Sequence, residues 1–364
     1  MGHFASFSSP AAPRVRQRLG VLAGVVALLA GAAAPAFACG GLIGPNGAVN
    51  LLRTTTLAAY HDGVEHYVTA FEFAGGGGEF GSIVPLPDVP TDVVRGGDWT
   101  LQRLVRETDP PPLELRAVAQ SAAEDAAGVE VLFETRIDAL DISVLRGGAN
   151  EVGQWATENG FRLPPDAPEV LEFYASRSPI FMAAVFDADA ALERGQSIGD
   201  GTPVHITIPT DNPWVPLRIL ALGRSEAERV DADVYLLTDR IPAMLPQPGN
   251  GDNGLVLQHF APAGSQLLDD LRSDEGMEWI PERAWLTKIR VDAAAPELAF
   301  DLAIDTSGRG QPSAVAAGLS VAAVDAMQRF EPAWILATVV AASICLAAAI
   351  VLFGRSRTVR GLPA

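Results

Sequence analysis

Two histidines that flank a tight-turn sequence form the first cluster that could do chemistry. His61 and His66 lie on either side of the Asp-Gly pair at 62–63, and Glu65 precedes the second histidine. Across a tight hairpin two imidazoles can approach one metal ion, and a carboxylate can be the third ligand. His61, His66 and Glu65 are therefore the candidate metal ligands. The alternative, which we favour, is an exposed polar hairpin tip that binds no metal.

The sequence also contains clusters of side-chain oxygens that could bind calcium. Asp187 and Asp189 are close together, and the segment 250–253 contains Asn250, Asp252 and Asn253. Neither segment has the twelve-residue spacing and closing glutamate of the common calcium loop. We therefore predict no cofactor, with zinc or calcium as the ions to test first.

Signatures of the common catalytic classes are missing from the sequence. The single G-x-S-x-G match, GQSIG at 195–199, has no predicted strand-to-helix turn around it that would mark a serine nucleophile. The glycine run at 75–78 lacks the lysine and the following helix of a phosphate-binding loop. The 44 acidic residues allow many carboxylate pairs, but no group of aromatic residues singles out one of them as a sugar site. We predict no catalytic residue.

Two further residues have chemistry of their own. Cys39 would lie at or beside the mature N-terminus, where it could be a lipid anchor, a bridge to another chain, a free thiol or part of a tucked-in turn. We favour the turn. Lys288 is the only lysine in the chain. It could in principle close an isopeptide bond with an asparagine, but a single lysine on a strand is usually an ordinary one, and we interpret it so.

The elements that would position these residues are mostly strands. A hairpin over 51–60 and 65–73 is expected to turn at the Asp-Gly pair, because this pair favours a two-residue hairpin turn. Alternating apolar residues predict two strands within 129–145. Further strands are expected over 180–186, 204–208, 217–221, 233–237, 284–291 and 298–304.

Short helices are expected between the strands. Asp98 is predicted to cap a helix over 99–106, and Asn150 to cap one over 150–158 that ends at Asn159 and Gly160. A capping box of Asp166 and Glu169 predicts a third helix over 168–177. Residues 113–126 fit either a helix or a mobile charged segment. The predicted fold class is α+β, a β-rich ectodomain with a few short helices, plus one C-terminal transmembrane helix.

The two ends of the sequence predict export and membrane anchoring. Residues 1–38 have three arginines, an apolar run too short to span a bilayer, and small residues before Cys39, as in a cleavable signal peptide. Residues 39–305 would be the ectodomain and 306–332 a stalk. An uncharged apolar run predicts a transmembrane helix over 333–353. The basic tail 354–364 predicts a cytoplasmic C-terminus and an outside N-terminal domain.

Charge limits the partners of the ectodomain. The chain carries a formal charge of −18, and all of its acidic residues lie between the two apolar ends. A surface this negative argues against binding to nucleic acid or to anionic lipid head groups. The expected partners are therefore the membrane that holds the anchor and an envelope protein or wall component.

At this point the chain resembles the DUF2330 family, which consists of uncharacterised, exported, membrane-anchored bacterial proteins. The resemblance rests on five segments in chain order, namely 38–41 (ACGG), 83–87 (IVPLP), 155–164 (WATENGFRLP), 214–218 (WVPLR) and 285–288 (WLTK). These segments span nearly all of the predicted ectodomain. The resemblance implies a location and a fold, but no reaction.

Two functional hypotheses follow from these observations. The first, which we favour, is a non-catalytic cell-envelope protein whose acidic domain outside the cytoplasmic membrane is a binding or structural module. The second is a metal-dependent hydrolase outside that membrane, built on His61, His66 and nearby carboxylates.

Overall fold

The computed structural model describes residues 41–44, 47–48, 54–72, 80–109, 131–195, 201–249, 251 and 253–320. The predicted signal peptide, Cys39, the segment 113–126, the transmembrane helix and the basic tail lie outside these residues. Within them, none of the helices has the length and apolar character needed to cross a bilayer.

The described residues form sixteen strands in three sheets. The strands are β1 Gly41–Gly44, β2 Gly47–Ala48, β3 Thr54–His61, β4 Val64–Glu72, β5 Phe80–Leu86, β6 Asp92–Arg95, β7 Val131–Ile137, β8 Leu140–Arg146, β9 Ile180–Phe186, β10 Gly201–Pro209, β11 Trp214–Val215, β12 Arg229–Thr238, β13 Ala243–Leu245, β14 Leu255–Pro262, β15 Trp285–Ala294 and β16 Leu302–Asp305.

The helices are short and lie between the strands. They are α1 Thr100–Thr108, α2 Ala149–Glu158, α3 Ala167–Ala175, α4 Ala188–Glu193 and α5 Ser265–Arg272, with the 3-10 helices η1 Arg218–Ala221 and η2 Ala295–Glu297. The β-rich α+β class predicted from the sequence is confirmed for the described residues.

Two large sheets and one small sheet organise the fold. The six-stranded sheet has the order β2-β1-β5-β9-β8-β7, and the seven-stranded sheet has the order β14-β15-β12-β3-β4-β10-β6. The small sheet has the order β11-β16-β13. Strands β3 and β12 are parallel, whereas the other named pairs are antiparallel.

Hydrophobic burial covers both faces of the seven-stranded sheet. Alternate residues of β12, such as Val234 and Leu236, join a large core that includes the six-stranded sheet with α2 and α3. Tyr235 and Leu237, which alternate with these residues along β12, face a second core against α1 and α5. The period of two is the one that strand geometry imposes. Strand β9 is apolar throughout because its residues are buried on both faces.

Most predicted strands are confirmed, but the segment predicted as a strand over 217–221 contains the 3-10 helix η1, Arg218–Ala221, and no strand. Side chains take the backbone N–H groups that a strand would offer to a neighbour. Asp301 accepts hydrogen bonds from Leu217 N and Arg218 N at 2.8 and 3.0 Å. Tyr174 Oη accepts one from Ile219 N at 2.8 Å. The segment therefore turns at this point.

The three predicted helices correspond to α1, α2 and α3, and α2 ends at Asn159 and the left-handed Gly160 as predicted, but the predicted N-terminal caps were wrong. Helix α1 starts at Thr100, one residue after the predicted start. Its N-terminus is bound by Asp274, which accepts hydrogen bonds from Asp98 N, Trp99 N and the Thr100 hydroxyl at 2.8–3.1 Å. A Cβ atom at Gly97 would lie 2.3 Å from the Asp274 carboxylate, so the close approach requires glycine.

The other two caps also come from different groups. The Glu151 carboxylate accepts from Gly148 N at 2.7 Å at the start of α2, where Asn150 was predicted. Asp166 accepts from Gly223 N at 2.9 Å, so it joins α3 to the loop after η1 and does not cap its own helix.

The first part of the predicted stalk packs against the ectodomain. Ala316 and Ala317 are buried, and Ala317 O accepts from Asp301 N at 3.0 Å. The described residues therefore remain part of the folded domain as far as residue 320, beyond the predicted boundary at 305.

Candidate functional site

The hairpin that carries the predicted metal ligands forms as expected. Asp62 and Gly63 have φ values of 48° and 81°, which are the left-handed values that a two-residue hairpin turn needs. Ala59 lies opposite His66, and Tyr60 lies opposite Glu65. Because residues directly opposite share a face, His61 and His66 lie on one face of the hairpin and Glu65 on the other.

Glu65 faces the interior and is separated from both histidines. Its side chain is fully buried, and one carboxyl oxygen accepts a hydrogen bond from Trp214 N at 3.3 Å. Burial raises the pKa of Glu65 to about 8, although the Trp214 N–H acts in the opposite direction. Glu65 is therefore protonated at neutral pH. The structure does not bring it together with His61 and His66 as ligands of one ion.

His66 lies in a stack of rings. Its Nδ1 is 2.9 Å from His205 Nε2, so one of these nitrogens donates and the other accepts. The His66 ring also stacks on Trp279, with 3.9 Å between ring centroids and 3° between planes. Burial, followed by the nearby His205 and His61, lowers the pKa of His66 to about 3. Burial lowers the pKa of His205 to about 4, so both imidazoles are neutral at neutral pH.

His61 has carboxylate neighbours that the sequence did not indicate. Its Nδ1 is 2.5 Å from Asp239 Oδ1, and its Nε2 is 3.3 Å from Asp62 Oδ2. One ligand atom from each of these three residues lies within 4.8 Å of the others. Asp239 follows β12, which lies beside β3 in the sheet, so only the parallel strand pairing brings it to the hairpin tip.

Lys288 is the centre of a second cluster of charged groups. Its side chain is fully buried, with Nζ in contact with the Asp109 carboxylate and 3.8 Å from Asp233 Oδ1. The ammonium lies 5.7 Å from the ring centroid of Tyr235. The Tyr235 hydroxyl is 3.0 Å from the Thr108 hydroxyl, which joins the strand to the end of α1.

A cleft lies where the edges of the two large sheets meet. It has a volume of about 340 Å³ and is lined by residues of β6, β7 and the turn after β7, namely Val93, Val94, Arg95, Thr135, Arg136, Ile137 and Asp138. Arg95 Nε donates to Asp138 at 2.9 Å and so joins the two walls. Among the described strands, β6 and β7 are edge strands.

Two of the residues considered for calcium, Asp187 and Asn253, bind other groups of the protein. Asp187 accepts from Ala190 N at 2.9 Å and from Arg136 at 3.1 Å. The Asn253 side chain accepts from Leu255 N and donates to Gln247 O. Asn250 and Asp252 lie outside the described residues, as does Cys39.

Comparison with known proteins gives one strong match. A family model described as an uncharacterized protein conserved in bacteria (DUF2330) matches residues 33–304. No curated protein matches the chain.

Among solved structures, a mutated baculovirus P35 after caspase cleavage, determined at 3.1 Å, is 7% identical. That match covers 68% of this chain and 93% of the viral one, with a TM-score of 0.34. The caspase-8/P35 complex is 8% identical over 69% and 89% of the two chains, with a TM-score of 0.32. Scores this low say nothing further about this chain.

The variant Glu65→Gln should have a higher free energy of unfolding than the natural protein, and this difference should grow as the pH rises. The pKa of Glu65 is about 8 in the folded chain and near 4.5 in the unfolded chain. Between these values the folded chain holds the extra proton, so the unfolding free energy of the natural protein falls with rising pH. Glutamine cannot ionise and can still accept from Trp214 N. We expect Glu65→Gln to gain up to about 3 kcal/mol at pH 7 and nearly nothing at about pH 4.

Urea unfolding of the full-length protein at the two pH values measures this difference. Glu134→Gln is the matched control, because Glu134 is exposed on β7 and its substitution should give no pH-dependent gain. Equal stability of Glu65→Gln and the natural protein at both pH values would show that the Glu65 carboxyl is ionised in the fold.

Proposed function

Since the chain belongs to the DUF2330 family of uncharacterized proteins conserved in bacteria, we propose that it is a cell-envelope protein and a binding or structural module outside the cytoplasmic membrane. A C-terminal helix over residues 333–353 would hold it in the membrane, with its N-terminal domain outside and its C-terminus in the cytoplasm. We assign it no catalytic residue.

The placement in the envelope is supported by charges at the two apolar segments. Three arginines precede the N-terminal apolar run, and three follow the C-terminal one. Positive charge is retained on the cytoplasmic side, so both groups favour the same orientation. The acidic residues between them would all lie outside, where they keep the domain away from anionic head groups.

We expect the mature chain to begin at Cys39 and to stay with the membrane when the membranes are washed with alkaline carbonate. Protease added to intact spheroplasts should digest the ectodomain and leave the C-terminal tail protected. A variant that lacks residues 333–364 should be released in soluble form. A membrane-free chain that begins at Met1 would overturn the proposed placement.

The single observation that carries the binding role is the cleft between β6 and β7. Val94 lines the cleft and is 38% exposed. Phe133 lies on β7, the strand that forms the other wall of the cleft, and is 41% exposed. Exposed apolar side chains beside edge strands are typical of surfaces that take a further polypeptide. An extended segment of an envelope protein could pair with the edge backbone and cover these side chains.

Substitution of Val94, which lines the cleft, or of Phe133, which lies elsewhere on β7, should weaken capture of this partner. Val94→Asp and Phe133→Asp in the full-length protein should each lower the retained amount of a specific envelope protein about tenfold, because each places a charge in an apolar contact. Ile241→Asp is the matched control, since Ile241 is 56% exposed away from the cleft. Crosslinking and mass spectrometry of detergent extracts measure the retained protein. If all three variants retained the same amount of this envelope protein as the natural protein, binding at the cleft would be contradicted.

A second candidate function, metal binding, is favoured by the His61, Asp62 and Asp239 cluster. One imidazole and two carboxylates are a donor set that zinc accepts, and an open position would remain for water. A metal-dependent hydrolase would need this site in place of the predicted one, because Glu65 lies on the other face of the hairpin. Calcium is less well matched, because it prefers oxygen ligands throughout.

Titration of the full-length protein with zinc, with the heat of binding measured by calorimetry, tests this candidate. His61→Ala should weaken binding at least about tenfold, because it removes the nitrogen ligand. His66→Ala should leave the affinity unchanged, since that imidazole binds His205 and stacks on Trp279. An affinity that falls with His66→Ala and not with His61→Ala would assign the metal to the other histidine pair.

A further inference from the structure

The single lysine of the chain occupies an unusual position. The sequence contains 26 basic residues, and Lys288 is the only one that is not arginine. A guanidinium stays protonated, whereas a lysine amine can lose its proton and act as a nucleophile. The one side chain with this capacity is fully buried and faces two carboxyl groups. An amine at this position can therefore take part in chemistry that a guanidinium cannot.

Three separate elements build the cluster. Lys288 is in the middle of β15, and Asp233 is on the neighbouring strand β12, where it is buried. Asp109 follows the last residue of α1 and touches Lys288 Nζ. The Tyr235 ring and the Thr108 hydroxyl lie beside them. A buried amine, a carboxyl in contact with it and a second buried carboxyl nearby are the groups that an amide condensation needs.

We propose that Lys288 and Asp109 condense into an intramolecular isopeptide bond, and that Asp233 transfers the protons. The ammonium gives a proton to the Asp109 carboxylate through Asp233, which leaves a neutral amine and a carboxylic acid. Nζ then attacks the Asp109 carboxyl carbon, and a C–N bond forms. Asp233 takes a proton from this nitrogen and gives it to the departing hydroxyl, so the C–O bond breaks and water leaves.

The surroundings favour this reaction in two ways. The Asp109 side chain is 53% exposed, so the released water can reach solvent, whereas Lys288 is fully shielded. Holding the two groups in contact gives them a high effective concentration. The product is a neutral amide, so the desolvation cost of a buried ammonium disappears. The bond would join the end of α1 to β15 across a sequence separation of 179 residues.

Peptide mapping of the full-length protein tests the bond directly. Trypsin cuts after arginine and unmodified lysine, so the linear products would include residues 107–116, and Lys288 would be the end of a peptide from 284. The isopeptide bond blocks cleavage after Lys288. We expect one branched peptide made of 107–116 and 284–290, with a mass lower than their sum by one water. The intact denatured protein should show the same loss.

Variants identify the groups that take part. Lys288→Arg and Asp109→Ala should give linear peptides only. Asp233→Asn should slow formation of the branched peptide about a hundredfold, because it removes the proton-transfer group. Arg290→Lys is a matched control, since residue 290 pairs with Asp231 on the same two strands, with both side chains about one-third exposed. It should form no second branch.

The natural protein decides the outcome even if a variant fails to fold. Separate linear peptides, cleavage after Lys288 and an intact mass with no water lost would show a simple ion pair and overturn the proposal. A branch at position 290 in the Arg290→Lys control would remove the role assigned to Asp233. Neither result bears on partner binding at the cleft or on placement in the envelope.

Discussion

The fold depends on carboxylates that are buried beneath its chain reversals. Asp301, next to β16, accepts hydrogen bonds from Tyr174 Oη at 2.8 Å and from Arg177 Nη2 at 2.6 Å, besides the two backbone N–H groups of η1. An unpaired backbone N–H in such a place would cost about 1–3 kcal/mol, and an unpaired buried charge more. Asp301 therefore fixes α3, η1 and the small sheet against one another.

Carboxyl groups accept hydrogen bonds from backbone N–H groups in the same way at three other places. Asp274 binds the start of α1, and Glu65 binds Trp214 N at the start of β11. Asp166 binds Gly223 N after η1. Each acceptor comes from a segment far along the chain from its donor. These four acidic side chains thus serve the architecture of the domain, and the chemistry suggested by acidic and histidine residues has to be judged against this use.

The distribution of polar groups separates three regions of the molecule. The hairpin tip holds exposed ligand groups at His61, the ring stack holds neutral histidines, and the Lys288 cluster holds a buried cation between carboxyl groups. The cleft lies at β6 and β7, and Val94, which lines it, lies directly opposite His205 of the ring stack on the neighbouring strand β10. A binding role at the cleft and a covalent bond at Lys288 are compatible, because a bond at the end of α1 would stiffen the domain without occupying the edge strands.

The sequence by itself determined the local structure. Alternating apolar residues placed the strands, and the Asp-Gly pair placed the hairpin turn, because both patterns act over a few residues. The strand pattern also implies that Glu65 and His66 point to opposite faces, because neighbouring residues on a strand do so. These two side chains therefore could not bind one metal ion together. Only the tertiary structure decided the binding of the α1 N-terminus by Asp274, the bond from Gly223 to Asp166, the turn at 217–221, the Asp239 neighbour of His61 and the carboxyl groups around Lys288. These depend on which distant segments the sheets bring into contact, and no local pattern records that pairing.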